Sequence, residues 1–539
     1  MTDQALECVK TELDLFSVPP TQTSIEEGVW DIVYPNPNFM TSPVLEFDIP
    51  GTNQTYIDMT QCYLNVTVKI TPKNAQAGAR PYMRQKAAAA AGGYIDPMGP
   101  TFEGKACVAP VNNVLHSLFN QIQVYLNNTP VENTNDTYLY KAYLENLLCY
   151  GTESKNTFLR NEGWYKDTAG QFATNNKISD NVLKSAGAIE AIGTITPLST
   201  SNINFLTGVS LVSGGAGEPP KLANLSLTPK QIADSLNITI TGTATTLTQL
   251  NGDNSIDDVI NSKMNVGFCK RRAMFNDMGT ANFSGRLHCD VFNTNRYLLN
   301  NVNIGLKMRR NDDVLIGAHR DDYTLNISDA RMFIRRVNVA SNVMLAHAMA
   351  LEKATAKYPI KRVQVQILNC PFSASQMIMQ GIRKGTMPSR VVLGFINQST
   401  KAGKGNNPFY FEHMNIETIA LKVSSKYMPY AQPIKCDFEN GNYIEAYETL
   451  FKNIRQAGAD ITYDEFAKGY TLFAFDLSPD LCSSEHYSLL RDGSLDLEIK
   501  CSKTPSDDGG GSYYAVFYME FDSIIEITKD RQVIFDFKV

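Results

Sequence analysis

The sequence predicts an all-β protein of antiparallel sandwiches organised as two units. Three observations lead there. Seven segments alternate apolar and polar residues with period two, helical patterns are few and short, and the chain has 539 residues. Successive strand side chains point to opposite faces, so a period of two marks a strand with one buried and one wet face. Such half-exposed sheet is antiparallel. Single cores stop growing near roughly 250–300 residues, so two large units are expected.

The strands follow in chain order. Leu64, Val66, Val68 and Ile70 face one way, and Asn65, Thr67 and Lys69 the other. The pattern returns at Ile122, Val124, Leu126, at Leu287, Cys289, Val291, and at Val302, Ile304, Leu306, Met308. It continues at Val363, Val365, Ile367, at Ile419, Leu421, Val423, and at Leu495, Leu497, Ile499, Cys501. Tyr470 to Phe475 has no polar face and reads as a strand covered on both sides, and Tyr513 to Phe521 is nearly as apolar. Strand signals from 44 to 537 with so few helices exclude βαβ units.

Helices serve as punctuation. Asp136 to Tyr150 carries Tyr140, Tyr143, Leu144, Leu147 and Leu148 on one stripe and stops at Gly151. Ser341 is placed to cap a helix through Lys357, ended by Pro359. Asn442 is placed to cap Tyr443 to Ala457, and Thr462 with Glu465 forms a capping box closed by Gly469. There is also an internal echo. The strand at 122–126 and the strand at 419–423 are each followed by a proline-containing turn and a helix with an Ala-Tyr pair, Ala142-Tyr143 and Ala446-Tyr447. Two units of one architecture would produce it.

Three stretches stand apart. Residues 1–40, with Pro19, Pro20, Pro35 and Pro37, read as an extended arm. Residues 73–107, where Lys86 precedes AAAAAGG, and 176–264, rich in Ser, Thr, Asn and Gly, read as surface insertions. Residues 507–511 (DDGGG) read as a hairpin tip.

Composition narrows the function. Lys and Arg number 49 against 55 Asp and Glu, a net charge of −6, which disfavours a protein that coats or reads nucleic acid. The opening residues are acidic and lack the basic start and apolar run of a secretion signal. No run reaches the ~18 apolar residues of a membrane span. Ten cysteines without a CxxC pair point to reduced thiols rather than a disulfide or zinc framework.

Six histidines stand at 116, 288, 319, 347, 413 and 486. His288 and Asp290, spaced i, i+2, could begin a metal site, but no second pair supports them and a structural or solvated pair is expected. HxH, HExxH and GxSxG are absent, Gly403-Lys404 lacks the rest of a phosphate loop, and Asn251–Ser255 lacks the glycine and glutamate of a calcium loop. The doublets Arg271-Arg272, Arg309-Arg310, Arg335-Arg336 and Lys361-Arg362 are expected as solvated faces, because adjacent strand residues point oppositely. Trp30 and Trp164 are too few for a sugar platform. No catalytic, cofactor-binding or metal residues are assigned, no cofactor is expected, and a structural or interaction protein is favoured over an enzyme.

Several unbroken stretches resemble one family. They are residues 12–26 (ELDLFSVPPTQTSIE), 110–128 (PVNNVLHSLFNQIQVYLNN), 163–170 (GWYKDTAG), 285–302 (GRLHCDVFNTNRYLLNNV), 345–359 (LAHAMALEKATAKYP) and 469–484 (GYTLFAFDLSPDLCSS). Together they resemble the hexon-like major capsid protein of Polinton/Maverick elements and adintoviruses, over most of the chain. Both insertions look longer here than the family pattern. The resemblance implies a double jelly roll, two eight-stranded sandwiches in tandem, with a first roll at about 41–320, a second at 321–539, and a boundary near the Ile316–Asp322 turn. It implies a homotrimer acting as a pseudo-hexameric capsomer in the icosahedral shell of a double-stranded DNA virus or virus-like element. The partners implied are neighbouring capsomers and penton and minor capsid proteins. The implied location is the virion, after synthesis in the host cytoplasm. A jelly-roll glycan-binding or attachment protein is the alternative.

Overall fold

The computed structural model describes residues 21–40, 42–73, 108–172, 210–212, 221–224, 265–275, 279–317, 320–370, 375–398, 406–453, 459–481, 486–489, 491–503 and 512–535. Sixteen strands build two sandwiches. The first holds β1 (Ile25–Val33), β2 (Val44–Ile49), β3 (Thr55–Pro72), β4 (Phe119–Leu126), β5 (Thr129–Asn133), β6 (Thr280–Arg286), β7 (Ile304–Arg310) and β8 (Tyr323–Val339). The second holds β9 (Ala356–Cys370), β10 (Gln376–Thr386), β11 (Arg390–Asn397), β12 (Ile416–Val423), β13 (Lys426–Tyr427), β14 (Leu472–Asp476), β15 (Asp492–Cys501) and β16 (Tyr513–Ile527).

In the first sandwich one sheet runs β1-β8-β3-β6 and its partner β2-β7-β4-β5; in the second they run β9-β16-β11-β14 and β10-β15-β12-β13. Adding eight to each label converts the first arrangement into the second. Short strands Val533–Phe535 and Ile434–Lys435 add to β16 and β12.

On β3, β4, β7 and β15 the period-two residues do what alternation demands, whereas on β9 Val363, Val365 and Ile367 are only half-buried. On β3, Leu64, Val66, Val68 and Ile70 are fully buried, while Asn65, Thr67 and Lys69 keep partial exposure. Every residue of β14 is buried, because helix α4 (Ile444–Asn453) covers it: the Thr449 hydroxyl accepts from Ala474 N and Asn453 donates to Ala474 O. The echo has a structural meaning too. Helix α1 (Tyr138–Cys149) follows β5 as α4 follows β13, the same place in each sandwich, and Ala142 and Ala446 are both fully buried. The capping box at Thr462 is formed as expected, its side chain accepting from Glu465 N.

Several expectations need correction. The first sandwich does not end at the Ile316–Asp322 turn, since β8 pairs with both β1 and β3 and is the fourth member of that sheet. Nor is the arm free through residue 40, because β1 takes Ile25 to Val33 into the sheet. Leu287, Cys289 and Val291 lie beyond the end of β6, and Asp290–Asn293 is a 3-10 turn; the alternation fails as a strand signal because His288 and Asp290 are buried as well. Helix α3 spans only Ser341–Leu351 and is entered at Ala340, with no side-chain cap. Pro359 sits within β9, which among the described residues pairs only with β16 and so is an edge strand, where a missing N–H is tolerated. Asn442 makes a backbone bridge to Asp437. Most of 73–107 and 176–264, and the tip at 507–511, lie outside the described residues; within the second insertion Ser210–Val212 pairs with Lys221–Asn224.

Candidate functional site in the seam between the sandwiches

The densest chemistry lies where the two sandwiches meet, around α1. Ten of its twelve residues are buried, on more than one face, because it is packed from both sides. Tyr143 stacks on Phe409 of the second sandwich at 3.8 Å between ring centroids and leans on Trp164 at 5.2 Å. A single continuous set of buried apolar side chains runs through both sandwiches.

Buried ions cross the same boundary. Lys141 on α1 donates to Glu132 at 2.7 Å and to Asp290 at 2.6 Å, while the other oxygen of Asp290 accepts from Val363 N of β9 at 3.0 Å. Burial works against the charge on Lys141, but Asp290, Glu132 and Glu145 hold it well above its usual value. Burial pushes Glu132 and Asp290 up, and each carboxyl feels a neighbouring one. One lysine cannot neutralise them all in a dry site, so the excess negative charge raises their affinity for protons. Further along, Asp167 accepts from Arg271 (2.7 Å), Asn265 (2.7 Å) and Asn407 (3.0 Å), and its backbone oxygen accepts from Tyr470 (2.6 Å). Lys155 pairs with Asp460 at 2.5 Å and Lys166 with Glu465 at 2.7 Å.

Beside α1 lies a trio. His116, from the short helix Val114–Ser117, approaches Glu162 at 3.2 Å through Nε2, and its Nδ1 meets the Tyr138 hydroxyl at 2.9 Å. Glu162 also accepts from Asn146 at 3.2 Å. His288 packs edge-on to His116, with ring centroids 4.6 Å apart, and its Nδ1 lies 2.5 Å from Glu145. His116, Glu162 and His288 are all buried, and one ligand-capable atom from each falls within 4.8 Å of the others. Burial drives His288 well below its usual pKa, and the neighbouring His116 adds to the effect. Burial pushes the Glu162 carboxyl up, yet its bonds to His116 and Asn146 and the nearby His288 outweigh this and hold it below the ordinary range. Burial pushes Glu145 up to about 7. Glu162 and His288 help line a cleft of about 880 Å³ that reaches Tyr518 and Glu520 of β16.

No protein-family model matches the chain. An uncharacterized Caenorhabditis elegans protein, F54H12.2, is 22% identical over 532 residues, covering 96% of this chain and 99% of that protein. Among solved structures, a chain of the Sputnik virophage structure aligns with a TM-score of 0.52 at 12% identity, covering 99% of this chain and 93% of that one. The mavirus major capsid protein aligns with a TM-score of 0.40 at 11% identity, over 100% of this chain and 97% of that one. The fold is a double jelly roll.

The double jelly roll places the sequence candidates as follows. His288 and Asp290 are not a pair: His288 joins His116 and Glu162, and Asp290 joins Lys141. The basic doublets are not plain solvated faces. Arg271 is fully buried against Asp167 in helix α2 (Val266–Ala273), and Arg272 is buried beside it. Arg362 is buried and donates to Val131 O, Arg336 pairs with Asp31, and Arg309 meets Asp136 in solvent. Trp164 is core, whereas Trp30 is 44% exposed with Arg335 over its ring. Asn251–Ser255 and Gly403-Lys404 lie outside the described residues. Among the described residues no helix is long and apolar enough to cross a membrane. Sequence reasoning missed His116, Glu145 and Glu162, which stand far from His288 along the chain. The one local signal was Gly285, where a Cβ would lie 2.4 Å from Glu162.

Proposed function

We propose that this chain is a hexon-like major capsid protein of the Polinton/Maverick and adintovirus kind. Its homotrimer serves as a pseudo-hexameric capsomer in the icosahedral shell of a double-stranded DNA virus or virus-like element. The observation that carries the reading is the repeated strand order: one chain holds two sandwiches of identical topology, locked side by side by α1. Three such chains around an axis present six similar units, so one gene product can tile hexagonal positions. The family-like stretches along the chain and the fold shared with the Sputnik virophage chain support it. The nematode relative is similar from end to end.

Subunit contacts of this kind are large and fairly apolar, on the order of 2,000–5,000 Å². The surface offers material for a second copy of the chain. Helix α3 has no buried residue and shows Leu345 and Met349 to solvent, 64% and 59% exposed. It follows directly on β8, whose ladder with β1 is extended by the bond from Ala340 N to Ser24 O, and β1 exposes Val29, Trp30 and Ile32. Light scattering on a sizing column is the test. A species of three times 59.8 kDa is expected, and a stable monomer at micromolar concentration would refute the reading.

A further inference from the structure

We propose that His116, His288 and Glu162 form a binding site for one divalent transition-metal ion of the zinc class, set in the first sandwich on the wall of the cleft. The inference stands on geometry and does not depend on the capsid reading. Two imidazole nitrogens and one carboxylate oxygen are a donor set suited to zinc. A tetrahedral ion with bonds of about 2.1 Å separates its ligand atoms by about 3.4 Å. His116 Nε2 and Glu162 Oε2 are already 3.2 Å apart, and no pair in the trio exceeds 4.8 Å. Small rotations of His288 close the remainder.

The surroundings hold each donor from behind, as metal ligands require. The Tyr138 hydroxyl sits on His116 Nδ1 and the Glu145 carboxylate on His288 Nδ1, leaving Nε2 of each ring for the ion. Asn146 donates to Glu162 and fixes its carboxylate. Gly285 leaves the space that this carboxylate fills: a Cβ there would lie 2.4 Å from Glu162 Cγ and Oε1. Three ligands leave one position, on the side of the cleft that Glu162 and His288 line, where water completes the shell. The bound ion ties together the short helix at Val114–Ser117, the 3-10 turn at Phe158–Glu162 and the stretch after β6, three segments that β pairing does not join to one another.

The test uses full-length protein without a histidine tag, stripped with a chelator and titrated with zinc or cobalt(II) chloride. Calorimetry should give one ion per chain, cobalt should show the visible absorption of a tetrahedral centre, and zinc should raise the thermal midpoint by about 3 °C or more. His288→Gln and Glu162→Gln should each weaken binding by about 100-fold or more. Glu145→Gln, which leaves all three ligands in place, should weaken it by about 10-fold. Folded wild-type protein that takes up neither metal overturns the proposal. So does unchanged affinity in His288→Gln, or an equal rise of the midpoint with magnesium or calcium.

Discussion

Gly285 faces the Glu162 carboxylate with no room for a side chain. A methyl group there must push a buried carboxylate off His116 and Asn146, so Gly285→Ala combines overpacking with lost hydrogen bonds. A loss of about 2–4 kcal/mol is expected from urea unfolding, and a loss within error of zero would show that Glu162 has other places to go. The Lys141 cluster gives a pH prediction. Burial raises the Glu132 carboxyl above its ordinary value of 4.5. Between that value and the raised one, the folded protein holds a proton that the unfolded chain has released, so this group makes stability fall as pH rises. Glu132→Gln removes the contribution and should flatten stability against pH across that window; parallel curves for wild type and variant would count against it. At this scale little was legible in the sequence. Charged residues that fold together here, such as Lys141 with Asp290 or Arg271 with Asp167, are separated by whole strands and insertions, and nothing local marks a charge that will be buried.

At the scale of elements, legibility followed the solvent. β3, β4, β7, β12 and β15 were readable because one face is dry and the other meets water, so residue type tracks position. The residues at 287–291 deceived because both sides are buried, and alternation between apolar and polar then reports internal partners rather than water. The sequence predicts helix α3 but makes it six residues too long, since Pro359 reads as its end and instead occupies an edge strand. This helix carries a prediction of its own. Leu345 and Met349 point to solvent, so Leu345→Glu with Met349→Glu should leave the fold intact, within about 0.5 kcal/mol by thermal melting. If α3 meets a second copy, the same pair should abolish the trimer on a sizing column. A trimer that survives both charges places the contact elsewhere.

At the scale of the whole molecule, the length and the echoed Ala-Tyr helices announced two similar units, while the boundary between them was hidden. β8 lies after a turn that resembles a linker and returns to the first sandwich, a long-range pairing that no local pattern reveals. The same correction sharpens the expectation for the N-terminal arm. If residues 1–20 form an arm that reaches a neighbouring subunit, removing them should spare the trimer and lower the yield of shells. Removing residues 1–40 should also strip β1 from its sheet and cost the folded state itself. Equal shell yields from full-length and 1–20-deleted protein would deny the arm that role. The unequal fates of α1 and α4 carry a last consequence. They hold equivalent stations, yet α1 buries ten of its twelve residues and α4 only four of its ten. One of the twins has become the mortar of the joint and the other has stayed a cladding tile. A gene split after Val339 would therefore yield an amino-terminal half with a raw, adhesive flank, soluble only when its severed sibling is made in the same cell.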